Sequence, residues 1–127
     1  MGSFLSLFNA ASSVSYANLA MPTLLEDGII FFNAGRYFEA HEAWEDMWRT
    51  AGGPLRLFYQ GLVQAAVGLH HLSQGNQNGA AAQLRKSLSK LAQYPDRFCD
   101  INNRRLVDDL RRVLDRMTSE RVQIERA

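Results

Sequence analysis

A chain of 127 residues, 46% apolar and 21% charged, has the size and composition of one soluble globular domain. Its net charge of +1 divides mildly, three basic against six acidic side chains in residues 1–60 and eleven against seven in 61–127, which is not the basic footprint that nucleic-acid binding needs. The single cysteine, Cys99, excludes an intrachain disulfide and a cysteine-rich zinc site.

Residues 1–21 read as an N-terminal arm, loose or weakly helical, rich in Ser, Ala and Asn. Phe4, Leu5, Leu7 and Phe8 suit it for packing on another surface, a partner chain included. The first basic side chain is Arg36, so the positive start of a secretory signal is missing. From residue 22 to 127 the chain reads as one helical-bundle domain. Pro22 and Thr23 open a first helix that carries Glu26 and Asp27 early and stops at Gly35. A second helix covers about 36–50 and contains YFEAHEAWEDMW, residues 37–48. Gly52-Gly53-Pro54 ends it and starts a third, to about Gln74. That third helix has no charge after Arg56, which marks it as the central, covered one.

The uncharged run 57–84 is no membrane span, because Gln60, Gln64, His70, His71 and the glycines at 75 and 79 interrupt it. Residues 75–78 form a turn. A fourth helix, about 79–94, aligns Ala80, Leu84, Leu88 and Leu91 before Pro95. A fifth is expected from Asn103 to Glu125, with Leu106, Leu110, Val113, Leu114 and Met117 as its seam. On it Arg104–Asp108, Arg105–Asp109 and Asp108–Arg112 stand at pairing distance in sequence, so the basic residues read as a self-neutralised solvated face. No strand-like alternation is evident, and the expected fold is an all-α, single-domain bundle of about five helices with short loops.

The second helix carries the chemistry. At roughly 100° per residue, with Tyr37 at zero, Trp48 falls near 20°, His41 near 40°, Glu45 near 80° and Trp44 near 340°. His41 thus lies between two tryptophans, with Glu45 one turn on at the edge of that arc, while Glu39, Glu42 and Asp46 point away. A carboxylate beside an imidazole fixes which ring nitrogen holds the proton. The pair is also placed to accept from the indole N–H groups of Trp44 or Trp48. Gln60 and Gln64, polar groups on the central helix, need partners, and the second helix is the natural source. The expected site is therefore a polar pocket between the second and third helices, lined by Tyr37, His41, Glu45, Trp48, Gln60 and Gln64 and braced by Asn33.

HEAWE at residues 41–45 is also a partial zinc-protease pattern, with Glu45 where the second histidine would stand. His41 and Glu45 would then be ligands of a divalent metal, His71 a third and Glu42 the base that activates its water. No cofactor is required by the remaining sequence. Ser87 and Ser89 lack a neighbouring base in sequence, and Gly61 and Gly68, seven apart, suit close helix packing.

FNAGRYFEAHEAWEDMW and GLVQAAVGLHHLSQGNQNGAAAQL resemble the small all-helical proteins grouped as domain of unknown function 309. The resemblance runs from about Phe32 to Leu91 and rests on His41-Glu42-x-x-Glu45-x-x-Trp48, on Gln60-Gly61-Leu62, and on the turn containing Gly75, Asn76, Gly79 and Ala80. It implies a compact helical bundle whose motif residues gather at one polar spot, and no known reaction. Three functions stand at this point. One is a cytoplasmic bundle that binds a small polar ligand, or uses the same residues structurally. The second is a metal-dependent hydrolase with His41 and Glu45. The third is a self-association module, a homo-oligomer built through the arm or the last helix.

Overall fold

The computed structural model describes residues 21–118 and 120–127, with side chains from Leu24 on. The arm, residues 1–20, lies outside the described residues. Among the described residues, helices α1 (Met21–Asn33), α2 (Tyr37–Thr50), α3 (Gly53–Ser73) and α4 (Gln77–Leu91) precede a small hairpin, β1 (Arg97–Phe98) and β2 (Ile101–Asn102), and then α5 (Asn103–Arg116). The fold is an all-α single-domain bundle.

Helix ends follow from local chemistry. α1 closes on Gly35 at φ 79°, where Gly35 N–H donates to the Phe32 carbonyl and Arg36 N–H to that of Phe31. α3 closes identically, with Gly75 bonding back to Leu72 and Asn76 to His71. Both are left-handed glycine endings that satisfy the last carbonyls of the helix. Asn76 then caps α4, its side chain accepting from Gly79 N–H at 2.9 Å, so that helix starts earlier than a turn over 75–78 allows.

α3 is the central helix. Phe58, Leu62, Ala65, Ala66 and Leu69 are buried along it, with α2 packed on one side and α4 on the other. α1 covers α2, and α5 packs on α4. The two glycines of α3 let α4 approach: a Cβ on Gly61 would sit 2.8 Å from Leu91, and one on Gly68 2.9 Å from Leu84. Ser87 crosses the same seam, donating to the Gly61 carbonyl at 2.7 Å. On α1, Gly28 lies against the indole of Trp44, which is fully buried and donates to the Leu25 carbonyl at 3.3 Å.

The last helix is shorter than the seam implies. α5 ends at Arg116, Met117 turns left-handed at φ 51°, and residues 121–126 run as an extended segment beside the hairpin. The reason is alternation: Val122 and Ile124 are buried while Arg121, Gln123 and Glu125 are exposed, a period of two instead of 3.6. A further helical turn would have put Glu120 and Arg121 where the seam needs apolar groups. The extended segment bonds back to the hairpin, Asn102 N–H donating to the Glu125 carbonyl at 2.8 Å and Ile101 bridging Arg126. The hairpin turn itself places Cys99 and Asp100 at φ 52° and 57°, the double left-handed geometry that suits two-residue hairpins.

On α5 two of the expected ion pairs form: Arg104–Asp108 at 3.8 Å and Arg105–Asp109 at 3.1 Å. Arg112 turns instead to Asp109 at 2.7 Å and to Glu120 at 3.2 Å. Glu120 is accordingly held below the usual carboxylate range, first by its hydrogen bond from Arg112.

Candidate functional site

α2 and α3 run antiparallel, with a register fixed at both ends. At one end the Arg56 guanidinium lies 4.6 Å from the Trp48 ring; at the other Phe38 packs 5.7 Å from His70. His41 stands one turn beyond Phe38, and its Nε2 is 3.2 Å from a carboxylate oxygen of Glu45. The second oxygen of Glu45 faces Arg49 at 3.5 Å. Both members of the imidazole–carboxylate pair keep about a quarter of their side-chain surface open, 27% for His41 and 25% for Glu45. The pair is neither a core network nor a free surface ion pair.

Phe38 is the residue that sequence reasoning passed over. It is 46% exposed, and its ring is flanked by two imidazoles, His41 at 5.9 Å and His70 at 5.7 Å. Its position three before His41 places both on one face of α2, which is the signal that would have found it. His70, set aside in favour of His71, is the α3 histidine that reaches α2. His71 points to the following turn, 3.4 Å from the Asn76 side chain.

Other expected lining residues go elsewhere, each for a definite reason. Asn33 pairs with the extended C-terminal segment: its Nδ2 donates to the Ile124 carbonyl at 3.0 Å and its Oδ1 accepts from Ile124 N–H at 2.7 Å. Arg121 and Gln123 both donate to the Asn33 backbone carbonyl. Tyr37 faces the same segment; burial raises its hydroxyl above the usual tyrosine value, opposed by Arg121 and by a hydrogen bond with the Val122 backbone. Its ring packs edge-on to Phe32 at 5.3 Å. Gln64 accepts from Lys90 of α4 at 2.9 Å, and burial lowers that ammonium. Gln60 is half-buried on α3, as Glu42 is on α2.

The tryptophans do not use the pair. Trp44 donates to Leu25, and the buried Trp48 N–H has no acceptor among the described residues. The expected metal trio does not assemble either. Among the described residues no three His, Cys, Asp or Glu side chains come together in a way that could hold an ion, so His71 does not complete a set with His41 and Glu45. No helix of the described residues is long and apolar enough to cross a membrane. What α2 and α3 do bring together is His41, Glu45, Phe38 and His70, with Arg49 at the edge.

Comparison with known proteins finds a similarity over the same region. Residues 25–83, from α1 into α4, match the family model described as Domain of unknown function (DUF309). An "Uncharacterized protein" of Aquifex aeolicus (strain VF5) is 32% identical over 80 residues, which is 62% of this chain. The aligned stretch is only 24% of that protein, so the chain spans about a quarter of the length of the curated relative it matches. The helical core that carries His41, Glu45, Phe38 and His70 thus lies within the stretch that is similar to this family, whose description names no reaction.

Proposed function

We propose that the domain binds a small polar ligand on the face formed by His41, Glu45, Phe38 and His70. The observation that carries this reading is the exposed Phe38 ring held between two imidazoles, directly beside an imidazole–carboxylate pair that is only partly covered. Exposed large apolar side chains are common singly, but one fixed among chemically active groups resembles a small recognition surface. With its proton on Nε2 toward Glu45, His41 offers Nδ1 as an acceptor. Arg49 occupies the other side of Glu45, so the carboxylate orients the ring instead of meeting the ligand. The ligand that fits this chemistry carries an N–H or O–H donor beside a small apolar group, the donor on His41 and the apolar part on Phe38. If a proton is transferred, His41 is the base and Glu45 its positioning residue. The metal-dependent reading has two donors from α2 and lacks a third beside them among the described residues.

The test follows the His41 and His70 ring signals by NMR while a panel of small amides, amines, alcohols and carboxylic acids is added at millimolar concentration. A saturable shift of both rings with one class, lost in His41→Ala and weakened in Glu45→Gln, supports the proposal. Rings that stay unmoved by every class, or equal binding by His41→Ala, would overturn it.

A further inference from the structure

Away from the residues of that face, an open cleft of about 500 Å³ forms where the hairpin, the start of α5 and the closing segment meet. Four guanidiniums, those of Arg97, Arg104, Arg105 and Arg126, line it against two carboxylates, Asp96 and Asp108. Its volume is in the range of small-molecule sites, about 300–1,000 Å³.

The four arginines divide into two kinds. Arg105 is held by Asp109 at 3.1 Å and Glu125 at 3.0 Å, and Arg126 by Glu26 at 2.6 Å. These two tie the walls together. Arg104 has its carboxylates only at 3.8 and 3.9 Å, too far for hydrogen bonds, and Arg97 has no carboxylate partner among the described residues. Arg97 therefore presents an open fork on the cleft, and Arg104, though ion-paired, has no hydrogen bond to its carboxylates. Their positions are fixed by the fold: Arg97 lies in β1, paired across the hairpin with Asn102, which caps the helix bearing Arg104. The first amides of α5 are already bonded, Asn103 and Arg104 N–H to the Asp96 carbonyl and Arg105 N–H to the Asn102 side chain, so the guanidiniums and not the helix end carry the site.

We infer that this cleft binds the phosphate group of a small phosphomonoester. Planar guanidinium forks match the oxygen geometry of phosphate and bind it in pairs. Among the described residues no aromatic ring lines the cleft, which gives a nucleobase no stacking surface there. A phosphorylated polyol, with hydroxyls for the Asn102 amide and the two lining carboxylates, fits the walls better.

The experiment titrates the isotope-labelled full chain with glucose 6-phosphate, and in parallel with glucose and with sodium chloride at matched ionic strength. Saturable shifts of the amides of residues 96–105 with the phosphate ester alone are expected, weakened at least ten-fold in R97A/R104A. Both side chains are exposed, so the variant keeps its thermal midpoint. R111A, an exposed arginine of α5 outside the cleft, serves as the charge control and retains binding. Equal responses to chloride, an unaffected double variant, an equal loss in R111A, or binding of a single-stranded oligonucleotide with none of the sugar phosphate would each overturn the assignment.

Discussion

Replacing Gly28 by alanine sets two magnitudes against each other. In an exposed helix interior, glycine to alanine stabilises by about 1 kcal/mol. Here a Cβ would stand 2.0 Å from Trp44 Nε1 and 2.3 Å from Cε2, where ordinary contact begins near 3.4 Å. The indole would have to retreat by more than an ångström. It is fully buried, packed 5.7 Å from the Phe32 ring and hydrogen-bonded to Leu25. Overpacking of this kind costs about 1–3 kcal/mol, and a buried N–H that loses its acceptor about 1–3 more. After the helix gain is subtracted, Gly28→Ala is expected to destabilise by about 1–5 kcal/mol. At roughly 4 °C per kcal/mol for a domain of this size, thermal unfolding should fall by about 4–20 °C. Circular dichroism reads the midpoint, and tryptophan fluorescence reports whether the indole has moved. A Gly28→Ala protein as stable as the parent, or more so, would refute the close approach of α1 to Trp44.

Three further outcomes are expected. Asn33→Ala removes both hydrogen bonds to Ile124 and should cost about 2 kcal/mol in urea unfolding, with faster hydrogen exchange at the Ile124 amide; unchanged exchange would contradict the pairing. Burial and Cys99 push the Tyr59 hydroxyl up to about 12, so the folded state keeps a proton that the unfolded chain releases near pH 10. Stability should therefore be intact below pH 10 and decline by about 3 kcal/mol as pH rises to about 12; Tyr59→Phe should flatten that decline, and an unaltered alkaline profile would count against it. The fourth concerns the proposed site itself. His41–Glu45 is a partly exposed i,i+4 pair, for which about 0.5 kcal/mol is usual, so Glu45→Gln should leave the midpoint within about 2 °C, whereas a large drop would make the pair structural.

The bundle was legible because its punctuation is strong. Gly35, Gly52-Gly53-Pro54 and Gly75-Asn76 each end or start a helix by a backbone requirement that does not depend on tertiary context, and the uncharged third helix is central as its composition demands. Residues 120–125 differ from the expected helix because the helix was extended beyond Met117, the last residue of its apolar seam. Val122 and Ile124 alternate with polar neighbours, but so short a run competes poorly with a long helical pattern. Within the site, angle alone brought His41 to Glu45, since both lie on one rigid helix. Partners from other elements were not accessible in that way. His70 against His71 turns on the rotation of α3 about its axis, and Asn33 and Tyr37 were claimed by a segment about 90 residues away.

That separation has a consequence for synthesis. The Asn33 carboxamide meets Ile124 across 91 positions of sequence. At roughly 5–20 residues per second, the ribosome makes the second partner about 5–18 seconds after the first. Helices and their pairwise docking form in microseconds to milliseconds. The α1–α2 pair therefore has ample time to assemble with its turn still open to water, and the extended segment, made seconds later, closes over a helix pair that is already formed, as a latch on a finished corner.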